Sequence, residues 1–540
     1  MPAHSTEGSR KRSPRAARPR TGGPWAVLLL VLIAGGLYLP NIDDYFLADD
    51  FDLIQSFYGK PFSYFPALLY HNESGAVWTD LGMDEDSGLG FLRPVKIWVL
   101  ALELGVWGTR SFGFHLTATA FFVGIVLMVR RILVRFLPDR PELALLGAAM
   151  VAIHPLFSEV VPYITASEEL ISIFFGLAAF HAFLAHRMEA RSPWTFYVLF
   201  VLSLLTKESG ITVLGLAVGY DLVGGRVLTR SRSKLAATAR LYAPFVAILA
   251  GYFSLRLLAF GNLEGGDVWA TGYLERWVFL RFHRLFYRAL VDPTMLSIGG
   301  YRWAGAGLAI AGSAALALVA LRGRRIDSER WRDLLFLGPV WYVMSTAVLY
   351  GAHFALRRNG LPLIGMVTFL TVALASALGP VSRRRRVTAA AVTLALAAAL
   401  WIPPALRNSH EFHRASRIVR EARAEIEART ADLPAGCVVG LANVPQSIVA
   451  PWYFGWGLLS ALKQPFTATD LARRCTVYDP RNRALNRVRE PPPAKFDRVI
   501  EFEPGRWRSE EDLEREVGRL VRIGLLRRVG GTVVPVTRGD

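Results

Sequence analysis

Two adjacent carboxylates are the first candidates for chemistry in this sequence. Asp49 and Asp50 lie in the run 47–52, just beyond the first long apolar stretch. Because neighbouring side chains point in different directions, one carboxylate can take a proton from a hydroxyl while the other holds the substrate or a divalent metal ion. The alternative is a solvated acidic loop, since the segment 41–92 contains many other Asp and Glu residues.

A second set of ionisable residues surrounds the end of another apolar stretch. His154 and Glu159 form the pattern His-Pro-x-x-x-Glu, and Glu168-Glu169 open the next apolar segment. Ionisable groups at membrane depth are costly and tend to be functional, so His154 and Glu159 are candidate substrate-binding residues. The alternative is that they stabilise helix ends through the helix dipoles. Their spacing matches no recognised metal site.

Basic residues supply candidates for binding a phosphate. Lys207 and Glu208 separate two short apolar segments, Arg357 and Arg358 precede a third, and Arg93 precedes an apolar stretch. Arginine matches phosphate oxygens with two parallel hydrogen bonds, whereas lysine acts as a point charge. The alternatives are a lysine that anchors a helix at the membrane surface and arginines that contact lipid headgroups.

The elements that position these residues are membrane-spanning helices. The 540 residues are 52% hydrophobic, and the long apolar runs argue against a soluble enzyme. A span needs about 20 mostly apolar residues. Eleven segments qualify: 24–40, 113–129, 142–158, 168–185, 194–206, 208–222, 239–260, 301–321, 333–351, 360–379 and 387–404.

The distribution of positive charge sets the orientation. The net charge is +18, and Lys and Arg concentrate in alternate connections, including the run Arg383–Arg386. Cytoplasmic loops are enriched in these residues, so the basic tail 1–23 is expected in the cytoplasm, with the first span retained rather than cleaved. The same rule makes such runs topology anchors rather than nucleic-acid sites.

Eleven spans place residues 405–540 outside the cytoplasm, after a membrane domain 24–404. Two outer loops, 41–112 and 261–300, each contain a predicted interfacial helix, at 93–107 and 274–291. The exported segment alternates strand-like and helix-like stretches, which predicts a small α/β domain. The strand-like stretches are 437–442, 498–502 and 531–536, and the helix-like ones are 411–429 and 510–526.

The two cysteines, Cys437 and Cys475, both fall in this exported domain. An oxidising compartment favours a disulfide between them. Two unpaired buried thiols remain the alternative, because sequence gives no distance.

Several motifs in order along about 400 residues resemble the polytopic type C glycosyltransferases. The resemblance is closest to the membrane region of O-mannosyltransferases with tetratricopeptide repeats, and to their bacterial relatives. The matching segments are Asp49-Asp50, Phe91-Leu92-Arg93-Pro94, Gly113-Phe114-His115-Leu116, His154-Pro155 with Glu159, and Leu205 to Val213 with its Lys-Glu-Ser-Gly-Ile-Thr core.

This resemblance implies an all-α polytopic membrane enzyme with a polyprenyl-phosphate sugar donor. It would act at the outer face of a membrane, which we expect to be the inner membrane of a bacterial cell envelope. Asp49 or Asp50 would take the proton of an acceptor hydroxyl on a protein or glycan, with inversion at the sugar. Lys207, Arg357 and Arg93 would bind the phosphate, and no nucleic acid partner is implied.

Two departures from the pattern of these enzymes leave the sugar open. An arginine that is usual after the His-Pro motif is missing at 165–169, and aromatic residues are missing around Arg357. Mannose is therefore not assumed.

Two other function classes compete with this hypothesis. A secondary transporter also suits eleven spans, but such proteins usually contain internal repeats, and none is evident. The other class is a non-catalytic protein of envelope-polysaccharide assembly, which would tolerate the loss of Asp49 and Asp50.

Overall fold

The computed structural model describes ten segments of the chain. They are 23–69, 91–226, 232–261, 328–347, 356–445, 451, 453–479, 495–503, 526–529 and 532–535. Most of these residues are helical. The predicted span 301–321, the interfacial helix 274–291 and the helix 510–526 lie outside the described residues.

Fifteen α-helices occur in the described part of the chain. In chain order they are α1 (Pro24–Gly36), α2 (Asp49–Phe57), α3 (Pro94–Trp107), α4 (Ser111–Phe136), α5 (Pro141–Ala152), α6 (Ser167–Glu189), α7 (Trp194–Thr206), α8 (Thr212–Val223), α9 (Arg232–Phe260), α10 (Ser328–Leu335), α11 (Trp341–Ala347), α12 (Gly360–Leu378), α13 (Arg383–Thr430), α14 (Leu458–Ala461) and α15 (Leu471–Arg474).

Among the described residues, six helical segments are long and apolar enough to cross a membrane. They belong to α4, α5, α6, α9, α12 and α13, and α1 and α7 are shorter apolar helices. The chain is therefore a multi-pass integral membrane protein. Ten of the eleven predicted spans fall on helices, while the total of eleven stays a prediction.

The membrane helices pack around a single apolar core that the sequence supplies from many segments. Helix α6 packs along α7 and α4, and α5 packs between α4, α12 and α13. Buried phenylalanines such as Phe122, Phe180 and Phe183 fill the space between these helices. This packing brings together the end of α5, the start of α6 and the end of α7, where the candidate site residues lie.

Helix α13 is continuous across the predicted domain boundary. We expected the membrane domain to end at residue 404, but α13 runs without a break from Arg383 to Thr430, with Pro403 and Pro404 inside it. At 1.5 Å per residue its length is about 70 Å, roughly twice the hydrocarbon thickness of a bilayer. The predicted helix 411–429 is thus the second half of a helix that begins in the membrane.

The C-terminal part, after α13, contains a parallel three-stranded sheet. Its strands are β1 (Val438–Ala442), β2 (Thr476–Tyr478) and β3 (Arg498–Glu501), in the order β2-β1-β3. Val439 of β1 pairs with Val477 of β2 and Arg498 of β3. A separate antiparallel pair joins β4 (Leu526–Val529) to β5 (Thr532–Pro535). All three predicted strand stretches therefore contain strands.

The structure joins Cys437 to Cys475 in a disulfide, with Cα atoms 4.6 Å apart. Cys437 directly precedes β1 and Cys475 directly precedes β2. The bond therefore links the starts of two neighbouring strands.

The chain between α1 and α2 is fastened to α13 by a cluster of polar side chains. The Asn41 amide donates to the Ser409 carbonyl oxygen at 2.9 Å, and the Asp44 carboxylate lies 2.6 Å from Nδ1 of His413. The ring of His115 on α4 lies 3.0 Å from the Asp44 carbonyl oxygen. This cluster holds residues 41–44 in place, and so fixes where α2 begins.

Candidate functional site

Asp50 is a buried carboxylate whose oxygens are occupied by hydrogen bonds. Its Oδ1 accepts from the backbone N–H of Thr165 at 2.7 Å and from the Thr165 hydroxyl at 2.6 Å. Its Oδ2 accepts from the Leu47 N–H at 3.0 Å. Burial outweighs these hydrogen bonds and raises the pKa of Asp50 to about 6. Asp50 therefore ties the start of α2 to the loop between α5 and α6.

Asp49 has a different environment, although it is the adjacent residue. It is only partly buried, and its Oδ2 accepts a hydrogen bond from the Tyr163 hydroxyl at 3.0 Å. Burial raises the pKa of Asp49, while the Tyr163 hydrogen bond and the positive charge of Arg357 oppose that shift. A carboxylate with a raised pKa is a stronger base, which suits proton abstraction from a hydroxyl.

Arg357 lies beside Tyr163, the residue that holds Asp49. Its guanidinium is 5.9 Å from the centre of the Tyr163 ring, and Nη1 is 3.5 Å from Oε1 of Glu159. About 20% of the Arg357 side chain is exposed. Asp49, Tyr163, Arg357 and Glu159 thus form one continuous polar surface.

Lys207 and Arg93 belong to a neighbouring network of charges. Lys207 pairs with Glu168 and, at 3.1 Å, with Glu169. Arg93 pairs with Glu168 at 2.8 Å and with Glu208 at 2.9 Å. Glu169 also lies close enough to Arg357 to attract it. The network therefore adjoins the residues around Asp49. The predicted carboxylate Asp49 and the predicted phosphate-binding residues Lys207 and Arg357 thus belong to one region of the protein.

The turn that presents Lys207 and Glu208 depends on a close backbone approach. Lys207 is extended after the end of α7, and Glu208–Ile211 form a single 3-10 turn before α8. A Cβ atom at Gly210 would lie 2.6 Å from the Ser203 carbonyl oxygen. Since that is far inside van der Waals contact, only glycine allows this turn to pack on α7.

Three residues of the charge network were not predicted as site residues. Arg256 on α9 is 2% exposed and lies 3.8 Å from Glu208. Lys96 on α3 is 1% exposed and donates to the Ser167 hydroxyl at 2.6 Å. Glu168 accepts from both Arg93 and Lys207. A charged residue inside the apolar run 239–260 was the signal that could have revealed Arg256.

His154 is buried between a helical turn and α13, and its predicted substrate-binding role stays a prediction. The side chain is fully buried, its Nδ1 accepts the Leu156 N–H at 3.2 Å, and its ring packs edge-on against Trp401 at 4.6 Å. The hydrogen bond to Leu156 shows that His154 caps the helical turn 155–159, which is the role that the alternative describes.

Arg358, next to Arg357 in the chain, lines a cavity between the helices. With polar residues such as Glu169 and Ser203 and apolar ones such as Ile173 and Val213, it lines this small cavity of about 20 Å³. About one water molecule would fill that volume, so this cavity is too small for a sugar phosphate.

Within the described segments, no group of three or more His, Cys, Asp or Glu residues is arranged to hold a metal ion. The Asp49 and Asp50 side chains contact different partners on the loop between α5 and α6. The possible requirement for a divalent metal therefore stays an open prediction.

Searches of proteins of known function found relatives of one kind. The chain is 28% identical to the protein O-mannosyl-transferase TMTC3 of Mus musculus over 145 residues, which are 26% of this chain and 16% of the mouse protein. It is 32% identical to the human protein O-mannosyl-transferase TMTC4 over 137 residues, 22% of this chain and 18% of that protein. The chain is similar to protein O-mannosyl-transferases. This finding confirms the resemblance drawn from the motifs.

The similarity covers a limited part of each protein. The chain spans less than a fifth of the length of these relatives, including F38B6.6 of Caenorhabditis elegans, which is 27% identical over 141 residues and matched over 19% of its length. No family model matches the chain. A search of solved structures found ArnT from Cupriavidus metallidurans bound to undecaprenyl phosphate, with a TM-score of 0.41 and 13% identity, covering 77% of this chain and 82% of ArnT.

The arrangement combines a base and a cation on one partly exposed surface. Asp49, bonded to the Tyr163 hydroxyl, can accept a proton, and Arg357, over the Tyr163 ring, can attract an anion. Lys207 and Arg93 add positive charge in the neighbouring network. Much of this charge is neutralised by the carboxylates with which they pair, those of Glu168, Glu169 and Glu208. Such a surface suits the transfer of a group from an anionic donor to a hydroxyl.

Proposed function

We propose that this protein is a membrane glycosyltransferase that moves a sugar from a polyprenyl-phosphate donor to an acceptor hydroxyl. Sequence similarity to protein O-mannosyl-transferases supports the class of reaction. The observation that carries the proposal is the position of Asp49, partly exposed and joined through Tyr163 to Arg357. The sugar and the acceptor, a protein or a glycan, stay open.

In the proposed reaction, Asp49 takes the proton of the acceptor hydroxyl. The hydroxyl oxygen attacks the anomeric carbon, and the bond between that carbon and the phosphate oxygen breaks with inversion. The polyprenyl phosphate leaves with additional negative charge. Fixed positive groups aimed at developing charge are usually the largest contribution to catalysis, and Arg357 is in a position to act in this way.

Asp49 is a better candidate for the base than Asp50. Both oxygens of Asp50 accept hydrogen bonds from backbone or hydroxyl donors, so a substrate hydroxyl would have to displace one of them. Asp49 accepts one hydrogen bond from Tyr163 on one oxygen and has a partly exposed surface. Asp50 then positions the loop that contains Tyr163.

Arg357 is also the better first contact for the donor phosphate. Its distance of 3.5 Å to Glu159 is longer than the 2.8 and 2.9 Å contacts that hold Arg93 between two carboxylates. Lys207 is likewise held between two carboxylates, those of Glu168 and Glu169. We assign Lys207 and Arg93 the role of maintaining a positive potential beneath the phosphate, with Glu208 and Glu168 fixing their positions.

The proposed orientation puts this site at the outer face of the membrane, with the N-terminus in the cytoplasm. The charge distribution of the loops supports it. Residues 24–404 would form the transferase domain of a bacterial inner-membrane enzyme, and the exported α/β part would contact the acceptor. Helix α3, with exposed Leu102 and Val106, would lie along the interface and guide the lipid donor.

The decisive experiment compares Asp49→Asn with Asp43→Asn in membranes that contain equal amounts of protein. Asp43 is a carboxylate of the same loop that is not buried, so its replacement is a matched control. Transfer of radiolabelled sugar from a polyprenyl-phosphate donor should fall at least 10²-fold, about the lower end of general-base contributions, in Asp49→Asn alone. Undiminished transfer by Asp49→Asn would remove the base from the mechanism.

The phosphate assignment is tested with Arg357→Ala. This variant should raise the donor KM and lower kcat, because it removes the cation that attracts the phosphate, while the acceptor KM stays at its wild-type value. Unchanged donor kinetics would contradict the assignment of Arg357.

A further inference from the structure

Ala48, the residue before the proposed base, has an unfavourable backbone conformation. Its φ is +45° and its ψ is −118°. Residues with a side chain seldom adopt positive φ, because the Cβ atom collides with the backbone. Such a conformation persists only where surrounding structure enforces it. The peptide that joins Ala48 to Asp49 is therefore held by contacts from elsewhere in the chain.

The contacts come from the C-terminal part, about 400 residues later in the sequence. The Ala48 N–H donates to the Tyr453 carbonyl oxygen at 2.7 Å. On its other side, a Cβ atom at Gly457 would overlap the Ala48 carbonyl oxygen and lie 3.0 Å from its carbonyl carbon. Both peptide groups of Ala48 are thus in direct contact with the backbone of residues 453–457.

Aromatic side chains reinforce the same contact around the first turn of α2. The Phe51 ring stacks on Phe454 at 6.2 Å and meets Phe466 edge-on at 4.8 Å. Phe46, on the other side of Ala48, meets Phe466 edge-on at 5.3 Å. All four rings are buried. Residues 453–466 therefore enclose the backbone on both sides of Ala48.

We propose that residues 453–466 position the catalytic base, and that Gly457 is a positioning residue for Asp49. This inference rests on the proposed function. The segment 453–466 keeps Ala48 at positive φ, and that conformation directs the Asp49 carboxylate toward Tyr163. An acceptor that contacts the C-terminal part and displaces this segment would change the position of the base, which couples acceptor binding to catalysis.

The expected size of the effect follows from the contact at Gly457. To admit a Cβ atom, the Ala48 carbonyl group and the Gly457 backbone must separate by about 1 Å. A displacement of about 1 Å at a reacting group costs on the order of 10²-fold in rate. Because Arg357 and the charge network do not contact Gly457 in the described part of the chain, donor binding should be unaffected.

The first measurement is the kinetics of Gly457→Ala in the full-length protein. We expect kcat to fall on the order of 10²-fold with the donor KM unchanged. Gly35→Ala is the matched control, because a Cβ atom at Gly35 on α1 would meet nothing within 4 Å. A Gly457→Ala variant with wild-type kcat would overturn the proposal.

The second measurement does not depend on transferase activity. Asp49→Cys introduces a thiol into a chain whose own two cysteines are bonded to each other. Its modification rate by a membrane-impermeant maleimide reports the exposure of position 49. Adding Gly457→Ala should change this rate several-fold, whereas adding Gly35→Ala should not.

The two measurements separate failure of the inference from failure of the proposed function. Equal labelling rates in all backgrounds would overturn the positioning role, whatever the activity. A changed labelling rate in Asp49→Cys, combined with no sugar transfer by the protein that retains Asp49, would refute the glycosyltransferase and leave the positioning role intact. If Gly457→Ala does not fold, Phe466→Leu is used in its place. This substitution removes the ring contacts of Phe466 with Phe46 and Phe51 and creates no overlap. A labelling rate equal to that of the control would then overturn the proposal.

Discussion

Replacing Tyr163 by phenylalanine should shift the pH dependence of catalysis, because it removes one hydrogen bond to Asp49. The Tyr163 hydroxyl donates to Asp49 at 3.0 Å and lowers the Asp49 pKa. Burial and the nearby negative charges of Asp49 and Asp50 raise the Tyr163 pKa well above its usual value, so the hydroxyl remains a donor throughout an assay range. Phenylalanine keeps the ring beside Arg357 and removes only the donor.

The magnitude comes from the energy of one hydrogen bond to a charged group, about 1.5–3 kcal/mol. Since one pKa unit corresponds to about 1.4 kcal/mol, the Asp49 pKa should rise by about 1–2 units in Tyr163→Phe. A base is active only when deprotonated. The limb of kcat/KM that increases with pH should therefore move to higher pH by the same amount.

The assay is kcat/KM for sugar transfer against pH, because this ratio reports ionisations of the free enzyme. Tyr197→Phe is the matched control, since its hydroxyl donates to the Leu241 carbonyl oxygen away from the site. It should leave the limb unchanged. A limb that stays in place in Tyr163→Phe, or that moves to lower pH, would refute the assignment of Asp49 as the base held by Tyr163.

Three further predictions concern the surroundings of the base. Because the folded pKa of Asp50 is about 6 against an ordinary value of 3.8, stability should fall by about 3 kcal/mol between pH 4 and pH 6, and calorimetry should show no such contribution in Asp50→Asn. Glu168→Gln should lower Tm and also lower the donor KM, because it frees positive charge at Lys207; a raised donor KM would contradict this. Cys475→Ser opens a covalent link across 38 residues and should cost about 4 kcal/mol of unfolding free energy, and an unchanged Tm would show that the disulfide does not form.

Much of the membrane architecture could be predicted because hydropathy is a local property. Ten predicted spans fall on helices, and strand-like stretches such as 437–442 contain strands. The acidic pair could also be found locally, since Asp49 and Asp50 stand out just after an apolar segment. The boundary at 404 stays a prediction, because it follows a change of polarity, and this change did not reveal that the helical backbone of α13 continues to Thr430.

The partners of each site residue could not be predicted in this way. The sequence does not show that the Asp50 carboxylate accepts hydrogen bonds from Thr165 while Asp49 stays partly exposed. It also does not show that the His154 ring packs against Trp401. Nor does it show that Gly457 contacts Ala48.

The sequence by itself determined which segments are apolar enough to lie in lipid, which connections concentrate positive charge, and which residue types are available for chemistry. Those properties depend on runs of about twenty neighbouring residues. Tertiary structure decided which of the two adjacent carboxylates stays partly exposed and which cations are held between carboxylates. These outcomes depend on contacts between residues hundreds of positions apart, and close packing of the helices and the C-terminal segment, rather than local composition, selects them.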